Sequence, residues 1–156
     1  MLTIRRPGER PLEVESIFID FEGTLASDRR VHPKAKDKMN LLSKRAKIYI
    51  LTMGEREVIE PILKRVNAEV VYIDEREGSQ QKRDFLKRHG EEKTVAIGNG
   101  ADDASMMEEA GLSICVIGKE GVAGEALKTA DVTVTNILDA LDFLLKPLRQ
   151  KATLGL

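Results

Sequence analysis

The chain has 156 residues, 42% hydrophobic and 33% charged, with a net charge of -1, which suits one compact domain and excludes a disordered chain. Aromatic residues are 4% with no Trp, so the core is aliphatic and a base-stacking platform for single-stranded nucleic acid is excluded. The lone Cys115 and two His exclude a disulfide framework and a structural zinc centre.

The opening MLTIRRPGERPLEVE lacks the apolar core of a signal peptide, and no apolar run approaches ~18 residues. A cytoplasmic protein with no membrane partner is expected. Residues 1–14 read as an N-terminal extension, a short hairpin turning at Pro7-Gly8 on the sheet edge. Strands are then expected at Ser16–Asp20, Lys47–Thr52, Glu69–Asp74, Thr94–Gly98, Leu112–Ile117 and Val132–Thr135. Helical spacing occupies the intervals, at Lys34–Arg45, Glu55–Val66, Ser79–His89, Ala101–Ala110, Val122–Thr129 and Ile137–Leu145. Arg29, Arg30 and the lysines after them make the first third basic. Asp28 and Asp37 interrupt that run without aromatic company, so it reads as a solvated face and no nucleic-acid partner is expected.

Regular alternation of strand and helix gives βαβ units, right-handed crossovers and a parallel sheet. Strands apolar throughout, such as Ile48-Tyr49-Ile50-Leu51, need cover on both faces. The fold class is therefore α/β, a three-layer doubly wound parallel sheet in one domain over residues 1–147. Residues 148–156, with apolar Leu154 and Leu156, read as a tail, either frayed or clipped onto a neighbouring subunit.

In such folds chemistry sits at the carboxyl ends of the strands. The first strand ends in Asp20-Phe21-Glu22-Gly23-Thr24-Leu25 and the second in Thr52-Met53-Gly54. Lys82 lies near the start of the third helix, and Gly98-Asn99-Gly100-Ala101-Asp102-Asp103 follows the fourth strand. Carboxylates, a hydroxyl, an ammonium and a Gly-rich loop are the parts of a phosphoryl-transfer site. The last segment is not a dinucleotide fingerprint, because Asp103 stands at the final Gly position and would repel a pyrophosphate.

These four segments, in this order, resemble the motifs of the haloacid-dehalogenase superfamily of phosphohydrolases. Ala104-Ser105-Met106, Ala110-Gly111-Leu112-Ser113-Ile114 and Thr129-Ala130-Asp131 resemble the soluble P-type-ATPase-like branch. The resemblance covers residues 14 to 147 and implies a Mg²⁺-dependent phosphatase acting on a small phosphorylated substrate. It implies Asp20 as nucleophile and Glu22 as acid/base, with Thr52 and Lys82 completing the catalytic set. Phosphate binding would fall to Phe21, Glu22, Gly23, Thr52, Met53 and Lys82, through side chains and the amides after Phe21 and Thr52. The metal would be held by Asp20, the Glu22 backbone carbonyl and Asn99, with Asp103 orienting a metal water or Lys82.

Two positions depart from the superfamily pattern. Glu22 stands where its phosphatases usually carry Asp, and the extra methylene moves the carboxyl by more than ~1 Å. Asn99 stands where most members carry Asp, so Mg²⁺ affinity is expected to fall, and to rise again in Asn99→Asp. Only 27 residues separate Thr24 from Thr52, and 29 separate Thr52 from Lys82. One helix and one strand fill each interval, so no cap domain is expected and a second copy of the chain is a candidate cover. The alternative function is a catalytically weak phosphoacceptor or regulatory binding module.

Overall fold

The computed structural model describes residues 1–155. At the amino end β1 (Leu2–Ile4) and β2 (Leu12–Val14) pair antiparallel, and Leu2, Ile4, Leu12 and Val14 turn into the core. This hairpin does not extend the sheet edge. Arg6 donates to Gly111 O, Arg45 donates to Met1 O, and Glu15 N donates to Lys93 O. All three anchors lie just before a sheet strand, so the hairpin closes the end of the sheet opposite the site.

The first sheet strand, β3 (Ser16–Asp20), runs into a small hairpin of β4 (Ala26–Ser27) and β5 (Arg30–Val31). Helix α1 (Pro33–Leu42), strand β6 (Lys47–Thr52) and helix α2 (Arg56–Ile62) follow. Helix α2 is shorter than its apolar spacing suggests. Pro61 inside it removes a backbone donor and clashes with the preceding turn, and Arg65 then takes a φ of +66°. Strand β7 (Glu69–Tyr72) stops before Asp74, whose carboxylate accepts from Arg76 N and turns the chain into α3 (Gly78–Lys87). Then come β8 (Thr94–Gly98), α4 (Ala104–Glu109), β9 (Leu112–Val116), α5 (Gly124–Thr129), β10 (Val132–Val134) and α6 (Ile137–Leu145).

The six sheet strands are parallel in the order β10-β9-β8-β3-β6-β7. Alternation along each strand divides the core between the two faces. Ile17, Ile19, Ile48, Ile50, Val95 and Ile97 face α1, α2 and α6. Phe18, Tyr49, Leu51, Ala96 and Cys115 face α3, α4 and α5. Burial of these apolar faces is the main stabilising term, at about 25 cal/mol per Å². Strand order reverses between β3 and β8, which opens a crevice at their carboxyl ends.

The segment after α6 is a helix, α7 (Pro147–Leu154), with Pro at its start and Gly155 at a φ of +77° closing it. Buried Gln150 donates to the carbonyls of Phe143 and Leu144, which α6 would otherwise leave without partners. Leu154 packs against the chain's own core. Leu156 lies outside the described residues.

Candidate active site

Asp20 ends β3 and lies two residues beyond Phe18, so the pleat turns its side chain toward α3. Lys82 and Leu86 are four apart on the inner face of α3, and both are 1% exposed or less. The lysine stem runs along the apolar layer and its ammonium reaches Asp20 at the end of β3.

There Lys82 Nζ donates to three carboxylates: Asp20 Oδ1 at 2.9 Å, Asp102 Oδ2 at 2.6 Å and Asp103 Oδ1 at 2.8 Å. Its three protons match three acceptors. Burial opposes the charge, but the Coulombic pull of Asp20 and Asp103, with the bonds to Asp102 and Asp103, outweighs it and holds Lys82 firmly protonated. Burial, and then the negative charge of Asp103, push the Asp20 carboxyl well above the usual carboxylate range, against the lowering effect of Lys82.

The other oxygen, Asp20 Oδ2, accepts from Thr24 Oγ1 at 3.0 Å, and the same hydroxyl lies 2.9 Å from Asn99 Oδ1. One hydroxyl proton cannot serve both acceptors at full strength, so two oxygens converge with a donor too few. That surplus of hard oxygen suits a cation. Oxygens of Asp20, Asp102 and Asp103 also lie within 4.8 Å of one another. The Lys82 ammonium already fills that space. Asp103 has both oxygens engaged, Oδ1 by Lys82 and Oδ2 by the amides of Asn99 (3.1 Å) and Gly100 (3.0 Å), so it braces Lys82 and the loop.

Asn99 is oriented by its amide nitrogen, which donates to Gly23 O at 3.0 Å. Gly23 holds a φ of +76°, and a Cβ there would lie 2.6 Å from that nitrogen. Gly98 has no room either, since a Cβ would lie 2.7 Å from that of Asp103. Both glycines allow close approach of the two loops.

Thr52 is fully buried at the end of β6. Its hydroxyl donates to Glu22 Oε1 and accepts from Gly54 N at 3.0 Å. Phe21 N is spent on Leu51 O and Gly23 N on Ala26 O. The Glu22 and Met53 amides have no hydrogen-bond partner among the described residues. The side chains of Asp20, Glu22, Thr52, Lys82, Asn99 and Asp103 therefore meet in one place, whereas the Phe21 side chain is buried in the core. The sequence reading passed over two contributors, Thr24 and Asp102. Thr24 had a signal in its position four residues after Asp20; Asp102 had none that separated it from a helix cap.

The cleft above the site has a volume of about 810 Å³ and opens between the β4–β5 hairpin and α2. No cap domain covers it among the described residues.

No family model matches the chain. An uncharacterised protein of Methanocaldococcus jannaschii is 45% identical over 70 residues, 45% of this chain and 75% of that protein. A soluble P-type ATPase-like phosphatase of the same organism is 28% identical over 142 residues, 86% of this chain. The chain spans 50% of that relative's length. Among solved structures, 3-deoxy-D-manno-octulosonate 8-phosphate phosphatase of Moraxella catarrhalis, in complex with magnesium, phosphate and KDO, is similar at a TM-score of 0.72 and 13% identity, covering 92% of this chain and 93% of that one. The cobalt-bound deoxy-D-mannose-octulosonate 8-phosphate phosphatase of Haemophilus influenzae gives 0.69 and 13%, over 92% and 90%. At these identities the likeness is one of fold.

Proposed function

We propose that the chain, whose fold is that of haloacid-dehalogenase superfamily hydrolases, is a Mg²⁺-dependent phosphomonoester hydrolase acting through an aspartyl-phosphate on Asp20. The observation that carries this reading is the setting of Asp20 at the switch point, with one oxygen on Lys82 and the other turned with Asn99 Oδ1 to the crevice. The phosphatase names of the relatives support it.

Mg²⁺ would be held by Asp20, the Asn99 side-chain oxygen and the Glu22 carbonyl, and when bound it supplies positive charge against the phosphate dianion. Asp20 attacks phosphorus, the bond to the leaving oxygen breaks, and an acyl phosphate forms. Lys82 offsets charge on the phosphoryl oxygens, and the amides of Glu22 and Met53, which have no partner among the described residues, would donate to them. Glu22 gives the leaving oxygen its proton. It then takes a proton from the water whose attack on phosphorus releases Asp20. For either task Glu22 must leave Thr52, which frees the Thr52 hydroxyl to donate to phosphate. The substrates are small phosphorylated molecules of the cytoplasm, and a second copy covers the open cleft.

The Glu22–Thr52 bond also favours a second reading. If Glu22 stays on Thr52, the aspartyl-phosphate persists and the domain is a phosphoacceptor or regulatory module. Phosphate release from a panel of phosphorylated sugars and hydroxy acids with Mg²⁺ tests the main reading. Activity is expected in the wild type and absent from Asp20→Asn; equal turnover in that variant, or full turnover in excess chelator, defeats it.

A further inference from the structure

The walls of the catalytic cleft are acidic. Glu55 and Glu75 line it as exposed residues and Asp102 as a half-buried one, and the lining contains one cation, Arg29. Arg29 makes no ion pair or side-chain hydrogen bond among the described residues. It sits at the tip of the β4–β5 hairpin, in a two-residue turn where Asp28 and Arg29 take φ of +51° and +62°. Such a turn matches the twist of the paired strands, and it fixes where its side chains point. For two residues other than Gly it stores strain of order 1 kcal/mol or more each.

The hairpin is firmly mounted. Ala26 N donates to Phe21 O, Gly23 N donates to Ala26 O, and Asp28 N donates to Glu120 Oε1 at 3.4 Å. The segment that carries Asp20 and Glu22 therefore carries Arg29 as well. Arg30, the next residue, lines a different cleft on the other side of the hairpin with Val31 and His32. The turn has divided its two arginines between two clefts, and only Arg29 faces the reacting groups.

We propose that Arg29 is the specificity-determining residue of this site and selects phosphomonoesters whose leaving group carries a carboxylate. This rests on the phosphatase reading above. An anion on the leaving group meets Glu55 before α2 and Glu75 before α3 and finds the cation of the lining only on the hairpin, so its charge also sets which way round the substrate lies. The planar guanidinium takes a carboxylate through two parallel hydrogen bonds. A second phosphate would bring more charge than one arginine offsets against so acidic a wall.

The test compares three esters of similar size with Mg²⁺: carboxymethyl phosphate (phosphoglycolate), 2-hydroxyethyl phosphate and 2-aminoethyl phosphate. The variants are Arg29→Asn, which tolerates the left-handed turn, and Arg29→Lys, which keeps the charge without the fork. In the wild type, kcat/KM is expected to favour the carboxylated over the neutral ester by about tenfold, the scale of one charge-assisted bidentate contact. Arg29→Asn should bring that ratio near one and Arg29→Lys should leave it between. A wild type that prefers the neutral ester, or the ammonium ester through Glu55 and Glu75, overturns the proposal while the phosphatase reading stands. An equal fall for all three esters in Arg29→Asn also overturns it. Failure of the wild type on all three esters while it hydrolyses other members of the panel above overturns the proposal alone, and failure on the whole panel overturns both.

Discussion

Lys82→Met removes one charge while keeping the length and apolar stem of the side chain. In the native protein the ammonium compensates Asp20 and Asp103, whose side chains are 5% and 0% exposed. Asp102, at 39%, is screened by water and is left out of the magnitude. Taking one partner from a buried charge cluster costs about 3–5 kcal/mol, a large share of the ~5–15 kcal/mol that keeps a domain folded. Metal-free protein unfolded in denaturant at pH 7.5 should show that loss. The Asp20 carboxyl, already held high by burial and by Asp103, rises further without Lys82. The native variant then keeps protons that an unfolded Asp releases above about pH 4, so its stability falls as pH rises beyond that point. The deficit should be smaller at pH 5 than at pH 7.5, and adding Asp103→Asn should recover much of it. A loss below ~1 kcal/mol, or one that does not change with pH, would refute the assignment of Lys82 as the compensating charge.

The other expectations rest on single contacts. Glu22→Gln should still allow Asp20 to be phosphorylated by a substrate with a good leaving group, but slow phosphoenzyme hydrolysis by about 10²–10⁴; rapid-quench turnover equal to wild type would remove Glu22 from proton transfer. Asn99→Asp sets a carboxylate against Gly23 O in place of the amide donor, so metal-free stability should drop by about 1–3 kcal/mol; an unchanged denaturation midpoint would show that this contact contributes nothing. Burial works to raise the Asp142 carboxyl, but its bonds to Lys38 (2.6 Å) and Lys146 (3.3 Å) hold it below the usual range. The stability it adds is therefore present above about pH 4 and lost as pH falls through and below that value. Asp142→Asn should flatten the acid limb of the wild-type stability curve, and an unaltered limb would exclude Asp142 as its source.

Asn99 illustrates a limit of reading charge from sequence. One carboxylate fewer at a metal site argues that Asn99→Asp would tighten the hold on Mg²⁺. The structure adds the Gly23 carbonyl on the other side of the amide, so the same change also breaks a buried contact. Helix α7 illustrates the opposite case: Pro147 at its start and Gly155 past its end were legible signals, outweighed by the apolar, terminal look of the segment. The β4–β5 hairpin left little local trace, since Asp28-Arg29 lacks the Gly that usually marks a two-residue turn.

The sequence by itself determined the chain order of the six sheet strands and of helices α1 to α6, because apolar runs of strand length and spacings near 3.6 are local properties of the chain. It determined the positions of Asp20, Thr52, Lys82 and Asn99 as well, since each follows or faces a strand end that those patterns mark. Only the tertiary structure decided which atom meets which. Asp20 and Lys82 are 62 residues apart, and Thr24 and Asn99 are 75 apart. Contacts across such spans are fixed by strand order and by the close approach permitted at Gly23 and Gly98. A lysine serving three carboxylates and an arginine left alone on an acidic wall look the same in a sequence. They differ only in what the fold brings beside them, because charge acts through distance in space and burial, neither of which a linear order contains.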